Sequence, residues 1–199
     1  MKYKLTDKDW TLPLKKKYTI VTDEEWKLLE KLTTTKVIKK GEHFLDYGKV
    51  ARYGAFVISG QFAFSIINEE GDENILRFAF PDDFLANCES YYRTAPSAVK
   101  ITALEDSVIR KINIKRLQPL YDLHMSLANI NLKIYQEINE SNFEHQYILS
   151  LKSPAKRYKF LMEKRPEIIK RISIKNIAKY LYVSREAISR ARLLIFKTG

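Results

Sequence analysis

Between Tyr121 and Leu151 the chain runs without a glycine or a proline, and its apolar residues recur at helical spacing. At the usual rise such a segment is a helix about 45 Å long, which divides the chain into a module before a rod and a module after it. Leu127, Ile134, Ile138, Ser141, His145, Ile148 and Lys152 follow spacings of seven, four, three, four, three and four. That is a heptad-like seam, apolar at one end and polar in the middle. A helix of this length is expected to be the interface of a symmetric dimer, with Leu127, Ile134, Ile138, Ser141, His145 and Ile148 facing the partner. The alternative is a stripe that packs only against its own chain.

The modules on either side have different periods. Thr22 and Glu25 make a capping box that opens a helix over Thr22–Leu32. Short strands then follow, at Thr35–Lys39, Gly54–Ile67, Asn74–Phe80 and Ala98–Ile112. The turn-rich Gly41–Gly48 separates the first two, and a hairpin tip at Glu69-Glu70-Gly71-Asp72 separates the next pair. Several of these strands are apolar on both faces, the pattern of a small closed barrel or jelly roll. Beyond the rod, Ser153-Pro154 caps and starts a helix over Pro154–Lys164, which Arg165-Pro166 ends. The expected architecture is α+β: an effector-type barrel over 1–120, a dimerisation helix over 121–151 and a helical module over 152–199.

Charge separates the modules as sharply as periodicity does. The chain carries a net +11. The whole excess lies in residues 151–199, where 14 Lys and Arg face only Glu163, Glu167 and Glu186. A basic module of that kind fits a polyanionic partner. Within it, Ser173 caps a short helix whose inward side is Ile174, Ile177, Ala178 and Leu181. A tight turn follows at Tyr182-Val183. Ser184 then caps a second helix with Ile188, Ala191, Leu194 and Ile195 as its buried face. This is a helix-turn-helix. The second helix presents Arg185, Glu186, Ser189, Arg190 and Arg192 outward. Arg can bond guanine O6 and N7 together, and Glu can accept from cytosine N4. Ser173, Lys175 and Ser184 are placed to hold phosphates. Arg185 and Arg190 are the leading base contacts, while Glu186 either reads a base or orients Arg190 across one helical turn. The partner expected from these residues is double-stranded DNA.

The segment SIKNIAKYLYVSREAISRARLL resembles the DNA-binding motif of the family that includes the bacterial cyclic-AMP receptor protein and the fumarate–nitrate regulator, the Crp/Fnr family. The likeness extends back through SPAKRYKFL, the long helix and VISGQFAFSIINEEGDENILRFAFPDDFL. It implies a cyclic-nucleotide-binding-like barrel and a parallel homodimer. It also implies two recognition helices on a pseudo-palindromic DNA site, with RNA polymerase as a further partner. The family's recognition Arg, Glu and Arg fall on Arg185, Glu186 and Arg190. Tyr182 stands where the family usually has glycine. The sequence also ends at Gly199, where many relatives continue into a small β-hairpin wing, so the wing is either truncated or naturally absent.

The family's nucleotide cassette carries Gly-Glu and, about ten residues on, Arg-Ser/Thr-Ala. Those positions fall on Ala86-Asn87 and Pro96-Ser97-Ala98, so the sugar carboxylate and the phosphate arginine are both missing. A shift of three residues would bring in Arg93-Thr94-Ala95, with Glu89 as carboxylate partner. The effector-pocket candidates are therefore Ala86, Asn87, Glu89, Arg93, Thr94, Pro96 and Ser97, for an unidentified small molecule or none. No cofactor is expected. Cys88 is the only cysteine, and His43, His124 and His145 lack ligand spacing, so no metal is expected. With no nucleophile–base pair, no signal peptide and no apolar run long enough for a membrane, the chain is expected to be a cytoplasmic, non-enzymatic DNA-binding regulator independent of cyclic AMP. The competing expectation is a cyclic-nucleotide-responsive module with weak or non-specific DNA binding.

Overall fold

The computed structural model describes residues 10–197, with side chains to 195. Helix α1 (Leu12–Lys17) leads to α2 (Asp23–Leu32). The expected capping box is present: the Glu25 N–H donates to the Thr22 hydroxyl at 3.3 Å, and the Thr22 N–H donates to the Glu25 carboxylate at 2.9 Å. Eight strands follow: β1 (Thr33–Ile38), β2 (His43–Leu45), β3 (Tyr53–Ser59), β4 (Phe62–Ile67), β5 (Glu73–Ala79), β6 (Phe84–Leu85), β7 (Lys100–Ala103) and β8 (Ser107–Asn113). They form two antiparallel four-stranded sheets, ordered β1-β8-β3-β6 and β2-β7-β4-β5. The closed barrel is thus replaced by an open pair of facing sheets, the jelly-roll alternative. The expected strand Gly54–Ile67 is broken into β3 and β4 at Gly60. That residue takes φ +94°, and a Cβ there would collide with Ser107. Between the sheets, Leu45, Phe62, Phe64, Leu85, Ile101 and Ile109 pack into one core.

Helix α3 (Cys88–Arg93) lies between β6 and β7, and α4 (Ile114–Leu123) follows β8. Pro119 sits inside α4, and the long helix α5 runs Met125–Ser150, starting four residues later than its sequence pattern. The break is at His124, where the backbone is extended (φ −132°, ψ 96°). Glu25 holds this corner: its carboxylate pairs with His124 Nδ1 at 3.1 Å and accepts from the Ser126 hydroxyl. Burial alone would raise the Glu25 pKa, but the bonds from Ser126, Thr22 and His124 keep it below the ordinary carboxylate range. At 26 residues, α5 spans about 39 Å. Its first half shares a core with Leu14, Trp26, Leu29 and Leu117.

The C-terminal helices are α6 (Pro154–Lys164), α7 (Pro166–Arg171), α8 (Ile174–Leu181) and α9 (Arg185–Lys197). Helix α6 ends at Lys164 as expected, and Pro166 occupies the first turn of a further helix, α7. Ile148, Tyr158, Leu161, Ile168, Ile177, Leu181 and Ile188 form their core, which also takes in Ala63, Ile75 and Phe78 from β4 and β5. The C-terminal module therefore packs on the outer face of one sheet. Any segment at the expected wing position lies outside the described residues. None of the described helices is long and apolar enough to cross a membrane.

Candidate nucleic-acid interface and effector cassette

Caps and burial set up the helix-turn-helix as its sequence requires. Ser173 Oγ accepts from the Asn176 N–H at 3.3 Å, and Ser184 Oγ from the Ala187 N–H at 3.2 Å, each satisfying a free donor at a helix start. Ile188 and Ala191 are buried, whereas Ile195 is half-buried and Leu194 is 58 % exposed. The inward face of α9 therefore runs through Ile188, Ala191 and Ile195, the last packed against the same core, and leaves out Leu194. Tyr182 takes the left-handed conformation (φ 54°, ψ 50°) that glycine would adopt freely. Its ring packs edge-on against His145, centroids 5.7 Å apart.

Two side chains fix α8: His145, expected on the dimer seam, and Arg157, which no motif singles out. His145 stacks on Tyr180 (4.1 Å, 14°) and its Nε2–H donates to the Tyr180 carbonyl at 2.7 Å. Burial lowers its pKa, offset in part by that carbonyl. Arg157 donates to three carbonyls, Leu149, Leu151 and Leu181, at 2.8–2.9 Å. Together they occupy the last carbonyls of α8, which have no partner inside the helix, and tie α8 to the end of α5. In the sequence Arg157 was one cation among 14; only its position just after the Ser153 cap sets it apart.

The expected contact residues lie at the surface. Ser173, Lys175, Ser184, Arg185, Glu186, Ser189 and Arg190 are all exposed, and Arg192 is half-buried. Glu186 bends back toward the start of α9, where its own N–H and the Ser184 hydroxyl hold its carboxyl below the ordinary range; Arg190 contributes less. The result is an exposed ridge that carries one carboxylate and two guanidiniums.

The cassette residues are arranged in the opposite way. Asn87 caps α3 by accepting from the Ser90 N–H at 3.3 Å, and its amide donates to Ser97 Oγ at 2.7 Å. Ser97 Oγ donates to the Val99 carbonyl at 2.6 Å. Ser90 Oγ donates to the Ala95 carbonyl and accepts from the Ala51 N–H. Ala86 is buried, Pro96 is exposed and Thr94 closes α3 in the left-handed region. Arg93 and Glu89 pair at 3.8 Å in solvent, 74 % and 73 % exposed, so the shifted register does not bring a guanidinium into the sheet interior.

Residues 35–124 match the family model described as the cyclic nucleotide-binding domain. Among solved structures the chain is similar to FixK2 from Bradyrhizobium japonicum, with 19 % identity over 84 % of this chain and 86 % of that one (TM-score 0.71). It is likewise similar to a CooA mutant from Carboxydothermus hydrogenoformans, with 16 % identity over 98 % and 87 % (TM-score 0.73). A third similar structure is a transcriptional regulator from Eubacterium rectale assigned to the crp/fnr family, with 21 % identity over 92 % and 87 % (TM-score 0.70). The chain has the Crp/Fnr fold. No curated protein matches it.

Within this Crp/Fnr fold the expected seam of α5 faces the chain's own body. Leu127, Ile134, His145 and Ile148 are buried, and Ile138 and Ser141 are half-buried. The opposite face of α5 carries Met125, Leu132, Phe143 and Tyr147, exposed by 74, 56, 63 and 54 %. With Gln136 and Asn139 between them, these residues follow spacings of seven, four, three, four and four, again a helical stripe.

Proposed function

We propose that the chain is a member of the Crp/Fnr family acting in the cytoplasm as a homodimeric, sequence-specific DNA-binding transcriptional regulator that cyclic AMP does not control. The observation that carries this reading is the polar ridge of α9: Ser184, Arg185, Glu186, Ser189 and Arg190 are exposed on a helix whose other side is buried. In this reading Arg185 and Arg190 contact guanine, Glu186 contacts a base or the backbone water around it, and Ser173 and Lys175 hold phosphates. The exposed face of α5, with Leu132, Phe143 and Tyr147, joins two copies so that their α9 helices enter successive major grooves of a pseudo-palindrome. RNA polymerase is the further partner of such a regulator.

The match of residues 35–124 to the cyclic nucleotide-binding domain favours a second reading, in which the jelly roll binds a cyclic nucleotide. Against it stand Asn87 and Ser97, whose polar atoms are bonded to each other and to the cassette backbone. A nucleotide phosphate would lack the arginine that pairs with it, because Arg93 is held out in solvent beside Glu89. Selection from random DNA with the full chain tests the first reading. It should return a palindromic motif bound at sub-micromolar Kd, with affinity falling steeply as salt rises. Recovery of no motif overturns it, and saturable cyclic-AMP binding in calorimetry establishes the second.

A further inference from the structure

A cavity of about 270 Å³ lies where β5, the loop before β6, helix α5 and the C-terminal module meet. Its walls are apolar at Phe80, Phe84, Ile138 and Ile168, with Tyr180 of α8 at one side. Into it faces Arg77 of β5, whose guanidinium lies 4.0 Å over the Phe64 ring and donates one bond, to the Phe84 carbonyl at 3.1 Å. A guanidinium has five N–H donors, and no other acceptor for Arg77 is found among the described residues. No carboxylate there lies within ion-pair distance of it. Asp83 is a neighbour, but its carboxylate accepts from the Phe80 N–H at 2.8 Å. Arg77 is half-buried, and desolvation, only partly offset by Asp83, holds its pKa down at about 10.

The other charges on the wall restrict what could complete this site. Lys17 is paired with Glu137 at 2.7 Å and Arg165 with Glu144 at 2.8 Å, so neither cation is free for an anion. Glu140 and Glu167 also line the cavity and would repel a phosphate or a dicarboxylate. The volume admits one ring or a short chain and is below the usual range of about 300–1,000 Å³ for drug-sized ligands. We propose that this cavity binds a small monocarboxylic acid, its carboxylate forked onto Arg77 and its apolar body against Phe80, Phe84, Ile138 and Ile168. Because Ile168 and Tyr180 belong to the helix-turn-helix module, such a ligand would be the regulator's effector. That role rests on the DNA-binding reading above, whereas the binding itself does not.

The test is thermal melting of the full chain without DNA, with benzoate and hexanoate as probes and benzamide as the uncharged control. At about ten times the Kd, either acid should raise Tm by roughly 3 °C, and benzamide should not. Arg77→Gln, which keeps the shape but not the fork, should abolish the rise. Ile138→Trp, which fills the cavity from α5 and leaves Arg77 in place, should abolish it too and serves if Arg77→Gln fails to fold. An equal response to benzamide, a response that survives in a folded variant, or no response to either acid overturns the proposal. Loss of DNA recognition in the selection experiment leaves this measurement untouched.

Discussion

The α9 ridge and the 86–98 cassette are built from similar polar residues put to opposite use. On α9, Arg185, Ser189 and Arg190 stand in solvent, with donors available to a partner. In the cassette, Asn87, Ser90 and Ser97 exchange hydrogen bonds with one another and with the local backbone. A polar group already satisfied inside the protein gains little by switching to a ligand. Under the proposed function, recognition resides in the first region and structural integrity in the second. Substitutions should therefore separate cleanly, with binding lost and stability kept on α9, and the reverse at internally bonded groups.

The largest effect is expected from an internal group that resembles a surface cation in the sequence. Arg157→Ala removes three charge-assisted bonds to carbonyls and leaves those carbonyls poorly solvated, so unfolding in urea should show a loss of about 3 kcal/mol. A change below about 0.5 kcal/mol would place Arg157 with the solvated cations of α9 instead. Arg190→Ala is the converse: unchanged melting, but a loss of about 1–3 kcal/mol of discrimination at one base pair, read by titrating a set of single-base operator variants. Uniform weakening on every variant would make it a phosphate contact.

Glu73 provides a pH test on the face between sheet and helix-turn-helix. Burial alone would raise its carboxyl, but bonds from Lys179 and Ser65 and the charges of Lys179 and Lys100 hold it at about 2, from an ordinary 4.5. Lys179 of α8 sits at 2.5 Å and Lys100 at 3.4 Å. The folded value is the lower one, so the stabilisation is complete above pH 4.5 and is lost as pH falls toward 2. Glu73→Gln should cost about 1–2 kcal/mol at neutral pH, after allowance for screening, and flatten the acid limb of the stability profile. An unchanged limb would mean the pair does not contribute. The smallest effects belong to the cassette. Asn87→Ala should cost about 1 kcal/mol, the usual loss of a helix cap, with operator selectivity intact. Cyclic AMP should leave the Tm of the wild-type chain where it was; a rise would reverse the contrast between the two regions.

Sequence patterns revealed some of these features and not others, for identifiable reasons. The helix-turn-helix was legible because Ser173 and Ser184 are local signals, read from their neighbours alone. The jelly roll was legible only as strands. Phe62, Phe64, Ala63 and Phe78 are all buried, on two faces of one sheet, so alternation could not say which side was the interior or whether the sheets closed. Helix α5 carries apolar residues on both sides, with Leu127 and Ile134 inward and Leu132 and Phe143 outward. Periodicity finds such a stripe but does not say which one a partner would cover. His145 and Arg157 bond the carbonyls of Tyr180 and Leu181, far along the chain, and backbone acceptors of that kind leave no mark in a sequence.

The clamp that His145 and Arg157 form on α8 has a mechanical consequence. Both grips lie within the last turns of α5 or reach its final carbonyls, so the helix-turn-helix is keyed to that shaft and cannot swivel freely on it. A rotation of α5 about its own axis must arrive at α9 as the same rotation. Each residue of an α-helix turns by about 100°. Inserting one residue into α5 ahead of His145 would then turn α8 and α9 by that angle relative to the jelly roll, whereas lengthening a surface loop of the jelly roll would not.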